Sequence, residues 1–107
     1  MAIDWKEYYE KQVDYYTKDI EFDEKQIQWA NRDIKYERKR DRELYEYVWS
    51  KGVLTEWEMR YYGMPISQYI SSTTKKLIND RQRYYRHKKK DMQKLEYYKK
   101  QLEEYKG

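Results

Sequence analysis

Residues 7–41 read as five consecutive seven-residue blocks: EYYEKQV (7–13), DYYTKDI (14–20), EFDEKQI (21–27), QWANRDI (28–34) and KYERKRD (35–41). The seventh place holds Val13, Ile20, Ile27, Ile34 and then Asp41, and the second holds Tyr8, Tyr15, Phe22, Trp29 and Tyr36. An apolar residue every seven positions keeps one stripe of a helix facing one partner, because a slightly underwound helix repeats every 3.5 residues. This block therefore predicts a long helix packed along a helical seam. Glu7–Lys11, Asp14–Lys18 and Glu21–Lys25 add acid-before-base pairs at i,i+4, each worth about 0.2–0.5 kcal/mol. The two apolar stripes stand five residues apart, roughly 150° around the helix, so one neighbouring helix cannot cover both. The expectation is two partners, one inside the chain and one from a second copy. The self-association set is Tyr8, Val13, Tyr15, Ile20, Phe22, Ile27, Trp29, Ile34 and Tyr36.

Beyond the repeat, helix breakers punctuate the chain at only a few places. Gly52, Gly63, Pro65 and the terminal Gly107 are its only Gly and Pro residues. The segments between them predict a long helix over about 4–51, an elbow over about 53–65 with a short helix at 55–62, and a second long helix over about 66–106. Each long helix would be on the order of 60–70 Å at 1.5 Å per residue. Asp4 with Glu7, and Thr55 with Glu58, have capping-box spacing. Gly52 and Gly63 stand where left-handed helix stops are expected, Val48 and Val53 flank the first as a closing contact, and Pro65 blocks continuation. In the second long segment Ile70, Leu77, Tyr84, Tyr98 and Tyr105 form a heptad ladder interrupted by Asp91. Ile78, Tyr85, Met92, Leu95 and Leu102 widen it to an apolar face. The fold class expected for residues 1–107 is thus all-α: a single unit, an antiparallel coiled-coil-like hairpin with a helical elbow, oligomerising into a bundle.

Composition supports this and narrows function. Leu, Ile, Val and Phe number 16 of 107 residues, but 15 Tyr and 4 Trp supply buriable area, and 24 basic against 20 acidic side chains leave a net charge of only +4. Amphipathic rings suit long, thin interfaces better than a globular centre, and so small an aliphatic core favours oligomerisation. The absence of cysteine excludes disulfides and thiolate chemistry. No glycine-rich phosphate loop or nucleophile elbow is present. With His87 the single histidine, no His-based metal site or triad is expected in one chain, and His87 reads as a solvated basic residue. No cofactor and no catalytic residue is expected. No apolar leader or membrane span is seen, which places the expected protein inside a cell or in a virion, not secreted and not on a membrane.

Charge is uneven along the chain. Residues 1–31 carry four basic and eight acidic side chains, whereas residues 75–90 carry eight basic and one acidic. In a hairpin pairing residues whose numbers sum to about 116, the basic stretch 32–42 would meet 74–84. Lys75, Lys76, Arg81, Arg83, Arg86, Lys88, Lys89 and Lys90, with Gln68 from the elbow, are therefore nucleic-acid-binding candidates. Residues 54–76 resemble a helix-turn-helix, with Gly63 in the turn and Ser67, Gln68, Ser71, Ser72, Thr74, Lys75 and Lys76 opening a recognition helix. Two functions follow. One is a self-associating assembly, adaptor or inhibitor-type module, of the kind a virus or mobile element encodes, docking copies of itself or a host or virion protein. The alternative is a DNA-binding protein.

Overall fold

The computed structural model describes residues 2–105. Those residues are all-α, with α1 at Trp5–Trp49, α2 at Glu56–Tyr62 and α3 at Ser72–Glu104. The two long helices pack against each other as a helical hairpin. None of the described helices is long and apolar enough to cross a membrane. By internal contacts the chain divides into two compact units: Met1–Trp29 with Arg81–Gly107, and Ala30–Asp80.

In the first unit α1 starts as its sequence implies, with Asp4 Oδ1 accepting from the Glu7 backbone N–H at 3.2 Å. Glu7–Lys11 and Asp14–Lys18 ion pairs form at 3.0 and 2.9 Å. The seam is antiparallel and rich in tyrosine. Tyr16 stacks on Tyr98 at 5.8 Å and 12° between planes, and Tyr9 meets Tyr98 and Tyr105 at 6.4 Å. Facing pairs such as Tyr9/Tyr105 and Tyr16/Tyr98 sum to 114, one step from the register expected. Tyr98 also lies edge-on to Tyr8 at 6.2 Å. A hydrogen bond with Tyr8, then desolvation, pushes the Tyr98 phenol up to about 12. Ile27 is buried, with Val13 and Ile20 half-buried.

The second unit is closed by polar side chains of α1 reaching the elbow. Tyr45 Oη donates to the Met64 carbonyl at 2.6 Å, Trp49 Nε1 to the Tyr62 carbonyl at 2.9 Å, and Arg38 Nη1 to the Tyr69 carbonyl. These carbonyls lie at or beyond the end of α2, where intrahelical donors run out. Asp41 Oδ2 accepts from Thr74 Oγ1 at 2.8 Å and from the Ser71 backbone N–H at 3.3 Å. Ser71 Oγ in turn accepts from the Thr74 N–H at 3.3 Å. Asp41 and Thr74 are buried, alongside Ala30, Ile34 and Val48. Tyr69 rests against Tyr45 and Tyr62 at 5.8 and 5.1 Å, and desolvation first, then a hydrogen bond with Tyr62, raises its phenol to about 12.

The α2 expectation holds: the Thr55/Glu58 capping box is complete, with both reciprocal bonds at 3.1 Å. Three details differ. α3 opens at Ser72 rather than near residue 66, because Ser71 and Asp41 serve as its cap, leaving 66–68 as a turn. Gly52 is left-handed at φ 82, but Val53 is 83% exposed, so no Val48–Val53 contact closes that helix. Gly63 is not left-handed, with φ −77. It is required for a different reason. Its N–H donates to the Met59 carbonyl at 2.9 Å, and a Cβ at this position would run into that same oxygen. By contrast, a Cβ at Gly52 meets nothing within 4 Å.

Gly63→Ala is therefore expected to destabilise more than Gly52→Ala, in urea melts of the two variants. The second change costs about 1–2 kcal/mol from its backbone conformation alone. Thr74→Val, which leaves the buried Asp41 without its shortest bond, is expected to cost about 1–3 kcal/mol in the same measurement.

Candidate functional site

Seam positions that normally carry aliphatic residues here carry three aspartates: Asp23 and Asp41 from α1 and Asp91 from α3, with 1%, 5% and 5% of their surface exposed. Burying a carboxylate is costly unless it is hydrogen-bonded or paired. Asp41 meets that need through Ser71 and Thr74. Asp23 meets it through the residue expected to be merely solvated, which also lies beside Asp91. His87 Nδ1 donates to the two carboxylate oxygens of Asp23 at 2.9 and 3.0 Å and lies 3.3 Å from Asp91 Oδ2. Its Nε2 is 3.9 Å from Asp19 Oδ2. His87 is 53% exposed at the side chain, so its ring stays open to solvent while its two nitrogens lie among three carboxylates.

Helical spacing builds this cluster. Asp19 and Asp23 are one turn apart on α1, His87 and Asp91 one turn apart on α3, so each pair projects from one face. The hydrogen bond with Asp23 is the main influence raising the His87 pKa. Desolvation chiefly raises Asp91, and a hydrogen bond with Asp91 raises Asp19. Asp91 Oδ2 is buried and takes no hydrogen bond, since the nearby Nδ1–H of His87 is directed to Asp23. One potential ligand atom from each of the four residues lies within 4.8 Å of the others. The single histidine thus stands in a cluster with three carboxylates rather than alone in solvent. The available signal was Asp91 interrupting an otherwise apolar ladder, with His87 one turn before it.

The nominated self-association residues divide into two sets. Val13, Ile20, Ile27 and Ile34 lie on the half-buried or buried side of α1, taken up by the hairpin itself. Tyr8, Tyr15, Phe22, Trp29 and Tyr36 are 40%, 59%, 53%, 50% and 62% exposed. On α3, Tyr85 and Met92 remain exposed as well, as does Ile70 just before it, so the apolar face expected there is narrower.

The basic candidates scatter. Lys75, Lys76, Arg83, Arg86, Lys89 and Lys90 are exposed, and Arg81 and Lys88 are half-buried. Lys88 is paired with Glu24 at 3.4 Å. Gln68 is exposed but sits in a turn, not on a helix. Thr74 is fully buried against Asp41 and cannot read a base. The nine residues 63–71 between α2 and α3 exceed the 3–4-residue turn of a helix-turn-helix, so that resemblance does not carry into the structure. Lys75, Lys76 and Gln68 belong to one unit and Arg81–Lys90 to the other. The chain matches no family model, no curated protein and no solved structure.

With a chelator present, Asp91→Asn is expected to melt at least as high as wild type at pH 7. It removes like-charge repulsion from a buried site while keeping the shape of the side chain. Asp23→Ala is expected to melt lower, because it strands His87 among the remaining carboxylates. Thermal melts followed by circular dichroism distinguish the two.

Proposed function

We propose that this chain is a non-enzymatic, self-associating helical module of assembly or adaptor type, and that its docking face is the aromatic ladder of α1. The observation that carries the proposal is the exposure of Tyr8, Tyr15, Phe22, Trp29 and Tyr36 at unbroken seven-residue spacing. Scattered exposed rings need no explanation, but a ladder with the period of a coiled-coil seam has the form of a surface for a second helix. The thin core supports the same reading. Among the described residues only Ile27, Ala30, Ile34 and Val48 are buried hydrophobics.

A second copy suits the ladder in charge as well as period. Along α1 the five rings are centred on Phe22. Residues 4–21 carry six acidic and three basic side chains, and residues 23–40 carry four acidic and six basic. Antiparallel pairing of two α1 helices about Phe22 sets each acidic half against the other copy's basic half. Such a two-fold contact is closed and self-complementary.

The exposed lysines and arginines of α3 favour a second reading, duplex DNA binding by charge alone. It predicts affinity that falls steeply with salt and is flattened by changing Arg83, Arg86, Lys89 and Lys90 to Gln.

Light scattering over a concentration series is expected to give at least a dimer for wild type. Tyr15→Ser with Trp29→Ser is expected to give a monomer of unchanged helicity, since each buried interface aromatic is worth about 2 kcal/mol or more. A wild-type monomer throughout the micromolar range would remove this reading. DNA binding by that monomer at low salt would then leave the second.

A further inference from the structure

We infer that Asp19, Asp23, His87 and Asp91 form a binding site for one first-row divalent transition-metal ion, linking α1 to α3. Three observations carry this. The donor set is complete for a four-coordinate ion, with three carboxylates and one imidazole whose candidate ligand atoms lie within 4.8 Å of one another. Ligands about 2.0–2.2 Å from a tetrahedral zinc-like ion stand about 3.3–3.6 Å apart, so the widest pair of the cluster would draw in by roughly an ångström to close on one. The second observation is independent of the acidic composition: Asp91 Oδ2 is buried, inside a residue only 5% exposed, and takes no hydrogen bond. A buried carboxylate oxygen without a donor is rare in native structures and calls for an explanation such as an ion. Third, the cluster gathers three carboxylates around a single imidazole, leaving an excess of negative charge where two of the groups, Asp23 and Asp91, are buried. A divalent cation offsets that excess.

The chemistry also selects the class of ion. An imidazole nitrogen favours zinc, copper, iron or nickel over magnesium and calcium, which take all-oxygen shells. His87, 53% exposed, leaves the site open to solvent on one side and gives the ion a route in. An ion held by two residues of each long helix would stabilise the pairing of those helices, because it binds the folded chain and not the unfolded one.

The test uses the full chain stripped of metal with a chelator and dialysed. Titration with Co²⁺, followed by visible absorption, is expected to saturate at one ion per chain, with Zn²⁺ displacing it. The thermal midpoint is expected to rise with Zn²⁺ and to fall back when chelator is added. Asp91→Asn and, separately, the half-buried Asp19→Asn are expected to keep the helical circular-dichroism spectrum. Both should weaken Co²⁺ binding by more than the roughly 10–100-fold typical of outer-sphere partners, and neither should show the Zn²⁺-dependent midpoint rise. His87→Gln is expected to abolish the nitrogen-dependent cobalt absorption. No saturable cobalt binding by wild type would overturn the inference and leave the cluster as a polar register lock. Wild-type affinity in every variant that folds would overturn it too, as would tighter binding of Mg²⁺ or Ca²⁺ than of Zn²⁺, which would mean that the imidazole is not a ligand.

Discussion

A carboxylate placed on the inner face of a helix pair has to be met by donors or by positive charge, and this requirement organises both parts of the molecule. Asp41 occupies the seam position of α1 where the repeat elsewhere supplies valine or isoleucine, and Asp23 the neighbouring seam position that holds Tyr9, Tyr16 and Ala30 in other blocks. Each is answered by one group on α3: His87 for Asp23, at 2.9 and 3.0 Å, and Thr74 for Asp41, at 2.8 Å. Apolar side chains tolerate sliding by a turn, since one isoleucine packs much like another. A buried carboxylate does not, because a one-turn slip would leave it without partners at a cost of several kcal/mol. Within each unit the aliphatic stripe therefore brings the helices together and the aspartate sets their register. A single buried polar residue fixes register in coiled coils in the same way.

The scarcity of aliphatic residues explains why so much of the remaining contact is aromatic or hydrogen-bonded. Tyr9, Tyr16, Tyr98 and Tyr105 fill the first unit's seam with rings, and the Tyr98 phenol, raised first by a hydrogen bond with Tyr8, marks a bond shared with a neighbouring ring. In the second unit Tyr45, Trp49 and Arg38 use their polar ends to satisfy three elbow carbonyls. A tyrosine or tryptophan there contributes apolar area and a hydrogen bond through one side chain. That combination lets a chain with 16 Leu, Ile, Val and Phe residues close an elbow that leucines alone would leave with unsatisfied backbone.

Legibility in the sequence followed the range of the interaction. Local chemistry was readable: the heptads of α1, the Thr55/Glu58 box and the left-handed Gly52 each depend on residues within a turn or two. Long-range partners were not. α3 begins at Ser72 because Asp41, some thirty positions earlier, accepts from Ser71 and Thr74, and no pattern inside 66–76 announces that acceptor. Gly63 stands at its expected place but not for the expected reason, since its constraint is a collision with the Met59 carbonyl and not a positive φ. In the sequence alone, Asp91 is a gap in an apolar ladder. Matching it to Asp23 required the register, which the structure supplies through Tyr16/Tyr98 one heptad away.

The two surfaces left over after the hairpin closes pose different chemical demands. The rings of the α1 ladder are exposed, with Tyr8 also meeting Tyr98, whereas the aspartate–histidine cluster lies between α1 and α3 inside the first unit. Its residues Asp19 and Asp23 fall at repeat positions other than those of Phe22 and Trp29. Asp19 nevertheless stands one turn from both Tyr15 and Phe22 and borders the same surface depression, so the two faces adjoin. Coupling between them is expected through α1 itself. An ion that holds Asp19 and Asp23 rigidly removes freedom from the helix on which Tyr15, Phe22 and Trp29 are displayed. Pre-ordering a docking surface lowers the entropic cost of association. If both sites operate, Zn²⁺ should tighten dimerisation in a concentration series read by light scattering, and Asp91→Asn should erase that tightening while leaving the metal-free dimer intact. Reciprocity requires the dimer to bind the ion more tightly by the same factor.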